Sequence, residues 1–142
     1  MAYFSSSRVL ITGAGSGIGE LMARQLAGQG AEIIVTARRQ AAADAVVEQI
    51  HNAGGRAHGV IMDVADPDSV LQARAQIHAE IGPVDVLINN AGVVFGGAFE
   101  QVSLSEHVNT FQINALGIMT VSHAFFDDLC ASRRGHLINI AS

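Results

Sequence analysis

One stretch near the start of this sequence holds the clearest chemistry. Thr12-Gly13-Ala14-Gly15-Ser16-Gly17-Ile18-Gly19 directly follows the apolar run Val9-Leu10-Ile11 and opens a segment with helical spacing. Glycines let the backbone come close to a diphosphate, and the free N–H groups of a helix start attract the anion. The spacing is T-G-x-x-x-G-x-G. Ile18 stands where G-x-G-x-x-G would place its third glycine, and no Gly-Lys-Ser/Thr follows, so a P-loop is excluded. The bland alternative is a structural turn.

Three further groups share the chemistry of that loop. Val35-Thr36-Ala37 is followed by Arg38-Arg39, about twenty residues past the loop. An acidic residue there would hold a ribose 2′-hydroxyl, whereas a guanidinium accommodates a 2′-phosphate and can bind it in bidentate fashion. The arginines therefore predict NADP(H) in preference to NAD(H), with a solvated pair at a helix start as the alternative. Asp63-Val64 lies after the third apolar run, where a carboxylate can accept the adenine amino group, with a local turn or cap role as the alternative. Asn89-Asn90-Ala91-Gly92 lies after the fourth. An asparagine amide can bridge neighbouring strands, and Ala91 and Gly92 leave room for a flat ring or ribose; by spacing alone the stretch is a turn, and its edge of the sheet makes it a site candidate.

The elements that must position these groups alternate along the chain. Apolar runs at Val9–Ile11, 32–36, 57–62, 84–88 and 136–140 read as strands. Helical patterns separate them at 17–29, 40–53 and 66–81, and from Leu104 to about Ala131. Gly30 fits the left-handed residue after the first helix. Asp66-Pro67 fits an N-cap followed by proline in the first turn, and Ser103-Leu104-Ser105-Glu106 forms a capping box. Strand–helix alternation with uniformly apolar strands implies a parallel sheet covered on both faces. The expected fold is a doubly wound Rossmann-type α/β sheet in one domain, residues 1–142, ordered 3-2-1-4-5 and truncated after about five strands.

Composition narrows the function. A net charge of −5, with no basic cluster larger than a pair, leaves no nucleic-acid footprint. The single cysteine, Cys130, excludes an internal disulfide and is read as structural. The six histidines show no H-x-H or H-E-x-x-H spacing, so no metal site is expected. No apolar run is long enough to span a membrane, and the first residues lack the pattern of a signal peptide, so a cytoplasmic protein is expected. No glycine-flanked G-x-S-x-G surrounds Ser16 or Ser142, which argues against a hydrolase nucleophile. The long helical segment 104–131 is apolar on more than one face, and the surplus points to helix pairing between copies.

Taken together, these residues resemble the short-chain dehydrogenase/reductase family along the whole chain: Thr12 to Gly19, Asp63-Val64, Asn89 to Gly92, Asn114, and Leu137 to Ser142. The resemblance implies hydride transfer between a nicotinamide coenzyme and an alcohol or carbonyl substrate, and a homo-oligomer paired through the long helix. It implies coenzyme contacts from Gly13, Ser16, Ile18, Arg38, Asp63, Val64 and Asn90. It also implies that Asn114 and Ser142 belong to a tetrad completed by a Y-x-x-x-K pair. This sequence departs from that pattern. Its only tyrosine is Tyr3, and it has no lysine, all eight basic residues being arginine. The 142-residue chain is therefore expected to turn over nothing by itself. A non-catalytic dinucleotide-binding or interaction module is the second reading.

Overall fold

The computed structural model describes residues 3–141. Five parallel strands, β1 (Arg8–Ile11), β2 (Glu32–Ala37), β3 (Arg56–Ile61), β4 (Val86–Asn89) and β5 (His136–Asn139), form one sheet in the order β3-β2-β1-β4-β5. Helices α1 (Gly17–Gly28), α2 (Gln40–Asn52) and α3 (Pro67–Glu80) link the first four strands. A longer helical connection, α4 (Leu104–Phe111) and α5 (Gly117–Ala131), leads to β5. The strand order matches the expectation from the sequence.

Alternation along the strands splits the core in two. Val9, Ile11, Ile33, Val35, Val86 and Ile88 pack with Ala23, Ala27, Val46 and Ile50 of α1 and α2. Leu10, Ile34, Val60 and Leu87 pack on the other face with Val70 and Ile77 of α3 and with Val121, Phe125 and Leu129 of α5. Successive strand residues point to opposite faces, so both faces must be covered, and a one-residue slip would exchange the two cores. Burial on both sides is why these strands read as unbroken apolar runs.

The helix ends follow the capping signals. Asp66 accepts from Asp68 N at 3.0 Å ahead of Pro67. Ser103 Oγ accepts from Glu106 N at 3.2 Å, while Glu106 Oε2 accepts from Ser103 N at 2.9 Å. The hydrogen bonds that Ser103 donates to the Glu106 carboxyl, from its backbone N–H first and then from its hydroxyl at 2.9 Å, hold that carboxyl below its ordinary pKa. Gly30, φ +91°, closes α1 in the left-handed region.

Three expectations need correction. The fourth strand begins at Val86 and includes Asn89, which belongs to the sheet and not to the following loop. The segment 104–131 is not a uniform α-helix, because Gln112–Leu116 form a π-helical turn between α4 and α5. No periodicity in side chains marks such a turn, which is set by backbone packing around it. Cys130, read as structural, is exposed on α5.

At the edge of the sheet where the strands begin, Arg8 Nε donates to Glu32 Oε2 at 3.0 Å, and His58 Nε2 lies 2.9 Å from Glu32 Oε1. Burial alone would raise the Glu32 pKa. The hydrogen bonds from His58 and Arg8, with their charges, outweigh it and hold the carboxyl below the usual range.

Candidate coenzyme cleft

The opposite edge, at the carboxyl ends of the strands, carries an open cleft of ≈ 390 Å³. Every loop that leaves this edge after β1 to β4 contributes to it. The β1–α1 loop supplies Gly13, Gly15 and Ser16, the first turn of α1 supplies Ile18, and the β2–α2 junction supplies Arg38 and Arg39. Asp63 and Val64 come from the β3–α3 loop, and Asn90, Ala91 and Gly92 from the segment after β4. In a doubly wound sheet the strand order reverses at β1, and this crevice is where ligands bind.

The glycine loop is held in place from three sides. Gly13 is at φ +63°, and a Cβ there would lie 2.8 Å from Ala91 Cα. A Cβ on Gly15 would meet Ala37 Cβ and Ala42 Cβ, both at 3.0 Å, and one on Gly19 would meet Asn90 Nδ2 at 2.5 Å. No larger residue fits at these positions, so the backbone itself forms the cradle. Ser16 is the N-cap of α1 and its side chain makes no capping hydrogen bond. The first N–H groups of that helix thus have no intrahelical acceptor and suit an anion.

Thr12 and Asn90 tie the loop to β4. Thr12 is 1% exposed, and its Oγ1 accepts from Asn90 N and Ala91 N, both at 2.9 Å. Asn90 Nδ2 donates to Thr12 O at 3.0 Å and to Gly13 O at 3.3 Å. Asn90 therefore bridges two strand ends, as its residue type allows. Thr12, Gly17 and Gly19 do not line the cleft; Thr12 and Gly19 shape it from beneath, and Gly17 starts α1 at φ +59°.

Arg38 and Arg39 are both exposed at the rim. Among the described residues the ion pairs involve Arg8, Arg24, His58 and His78, and neither rim arginine takes part. Asp63 Oδ1 accepts from Ala65 N at 3.0 Å, and Asp63 N donates to Ser69 Oγ at 2.9 Å, which fixes the carboxylate at the cleft wall.

Asn114 sits in the π-helical turn. Its Oδ1 accepts from Val93 N at 2.8 Å and its Nδ2 donates to Val93 O at 2.7 Å. That places Asn114 beside the Gly92–Val93 wall without lining the cleft. Ser142 lies outside the described residues. Tyr3 is at the far edge of the sheet, with Oη 3.0 Å from His136 Nε2.

The sequence reading missed Ala37, Ala42, Met62, Val93 and Ile113, which also line the cleft. Ala37, Met62 and Val93 adjoin predicted residues in sequence, and Ala42 had only its small size as a signal. Ile113 comes from a helix distant in sequence, and only the i, i+4 stripe Ile113-Gly117-Val121-Phe125 could have marked its inward face. Among the described residues no group of three or more His, Cys, Asp or Glu could hold a metal ion, and no helix is long and apolar enough to cross a membrane.

The family model described as short chain dehydrogenase matches residues 7–142. Gluconate 5-dehydrogenase of Gluconobacter oxydans (strain 621H) is 33% identical over 138 residues, covering 97% of this chain and 54% of that protein. The chain thus spans about half the length of the curated relatives it matches. Among solved structures, a metagenomic short-chain oxidoreductase in complex with NADP superposes with a TM-score of 0.90 at 34% identity, covering 99% of this chain and 64% of that one. A gluconate 5-dehydrogenase from Burkholderia cenocepacia J2315, in complex with NADP and tartrate, gives 0.89 at 31% identity, covering 97% and 54%.

Proposed function

Given that this chain belongs to the short-chain dehydrogenase family, we propose that its cleft is the coenzyme site of an NADP(H)-dependent oxidoreductase acting on a small alcohol or carbonyl substrate. One observation carries the reading: a side-chain-free glycine cradle at the start of α1 opens into the same cleft as two arginines that have no acidic partner among the described residues. The cradle suits a diphosphate, and the arginines suit the added phosphate of NADP(H) over the bare ribose of NAD(H). Solved relatives are bound to NADP or NADPH in three cases and to NAD in another, which supports a nicotinamide coenzyme; the preference for NADP(H) rests on the two arginines.

The division of labour follows from position. Gly13, Gly15, Ser16 and Ile18, over the first N–H groups of α1, hold the diphosphate. Arg38 and Arg39 hold the 2′-phosphate. Asp63 accepts from the adenine amino group, while Val64 packs against the base. Asn90, Ala91 and Gly92 leave a flat wall for the second ribose. When bound, the coenzyme supplies the hydride donor or acceptor. Asn114 holds the Val93 backbone beside that wall. We assign Asn114 and Ser142 to the substrate end of the site from their place in the family motif.

We read residues 1–142 as one dinucleotide-binding domain of a cytoplasmic enzyme, paired with a second copy through α4 and α5, where Leu104, Val108, Phe111, Met119 and Phe126 are exposed. The chain's only tyrosine is Tyr3 and it has no lysine. An unassisted tyrosine, with a pKa of about 10, is a poor proton donor at neutral pH. The 142 residues by themselves are expected to bind coenzyme without transferring hydride.

Isothermal titration tests both points. NADPH should bind more tightly than NADH, and Arg38→Ala with Arg39→Ala should remove the difference while sparing NADH. Equal affinities, or tighter NADH, would overturn the preference. NADPH consumption by the purified chain with a carbonyl substrate would overturn the second point.

A further inference from the structure

A glycine inside a helix is a poor choice on propensity alone, since alanine is the better helix former. Gly117 opens α5 directly after the π-helical turn and is buried. The reason lies across from it. A Cβ at Gly117 would sit 2.8 Å from Val64 Cγ2, 3.1 Å from Val64 Cβ and 3.3 Å from Val64 O. Val64 is 7% exposed and lines the coenzyme cleft on its other side. It is thus clamped between the cleft and the helix.

The same helix carries two residues one turn earlier that serve the cleft. Ile113 is buried and lines it. Asn114 holds Val93 through both of its amide atoms. Gly117 follows Ile113 by four residues, and Val121 and Phe125 continue the buried stripe onto the sheet. The depth at which the helix meets Val64 therefore sets the position of Ile113 and Asn114.

We propose that Gly117 is a positioning residue of the coenzyme cleft: its missing side chain lets the long helix seat on Val64, and that seating places Ile113 in the cleft wall and Asn114 on Val93. The role rests on the assignment of the cleft to NADP(H). A residue with any side chain here pushes the helix outward or Val64 into the space for the adenine half.

The test uses the 142-residue chain and two readouts. Gly117→Ala should weaken NADPH binding by about tenfold, within the range for one methyl group forced into a packed site. Its Val93 amide should exchange with solvent faster, because the Asn114 hydrogen bond loosens. Adding Val64→Ala removes the contact at 2.8 Å and leaves those at 3.1 Å and 3.3 Å, which call for shifts of a few tenths of an ångström. The double variant should recover most of the affinity and of the Val93 protection, relative to Val64→Ala alone. A Gly117→Ala protein with unchanged affinity and unchanged Val93 exchange overturns the proposal. So does a double variant as impaired as the single one. If Gly117→Ala fails to fold, a folded, binding double variant supports the role, and two unfolded variants overturn it in favour of a purely structural one. Should the unaltered chain bind neither coenzyme, the NADP(H) assignment fails by itself, while Val93 exchange still decides whether Gly117 seats the helix.

Discussion

Thr12 shows how one hydroxyl joins two strand ends. Its Oγ1 accepts from both Asn90 N and Ala91 N in a site with almost no solvent. Thr12→Val keeps the shape and removes the acceptor, leaving two N–H groups unpaired. It should cost about 1–3 kcal/mol in urea unfolding, with Thr12→Ser close to the original. Glu32, at the other edge, predicts a pH effect. Its folded-state pKa is lowered, so the unfolded chain binds the proton more readily. The resulting stability is present above the ordinary carboxylate range and is lost as pH falls through the lowered value. In acid titrations of stability between about pH 6 and pH 3, Glu32→Gln should flatten the slope relative to the original. A parallel slope would show that other carboxylates carry the effect. Both residue types were plain in the sequence, but only Asn90 was read as a strand bridge. The role of Thr12 was not legible, because its partners are 78 and 79 residues away.

At the scale of elements, local signals did best where the physics is local. The Asp66 cap and the Ser103–Glu106 box each involve hydrogen bonds within three residues, so residue order alone specifies them. Asp66→Ala should cost about 1 kcal/mol by chemical denaturation, and Asp66→Ser or Asp66→Asn should recover most of it. An unchanged midpoint would mean that Pro67 alone starts the helix. The π-helical turn at Gln112–Leu116 is the opposite case. The turn is fixed by what the helix meets there: Asn114 on Val93 within it, and Gly117 on Val64 directly after it.

At the scale of the whole molecule, the exposed apolar residues of α4 and α5 form a face with no cover among the described residues. Leu104, Phe111, Met119 and Phe126 are 78%, 61%, 67% and 56% exposed, at helical spacing along one connection, and the expected cover is a second copy. Sedimentation should find the chain dimeric, and Phe126→Glu together with Phe111→Glu should yield a folded monomer. A monomeric original chain would dismiss the pairing. The sequence by itself determined the strand–helix alternation, the caps, the glycine loop and the position of the arginine pair, since each depends on residue type within a few positions along the chain. Only the tertiary structure decided that Asn89 belongs to the sheet, that a helix begun at Leu104 must widen at Gln112, and that Ile113 and Val93 wall the cleft. Those outcomes depend on contacts between segments far apart in sequence, and neither hydrophobic periodicity nor motif spacing encodes how closely two packed backbones approach.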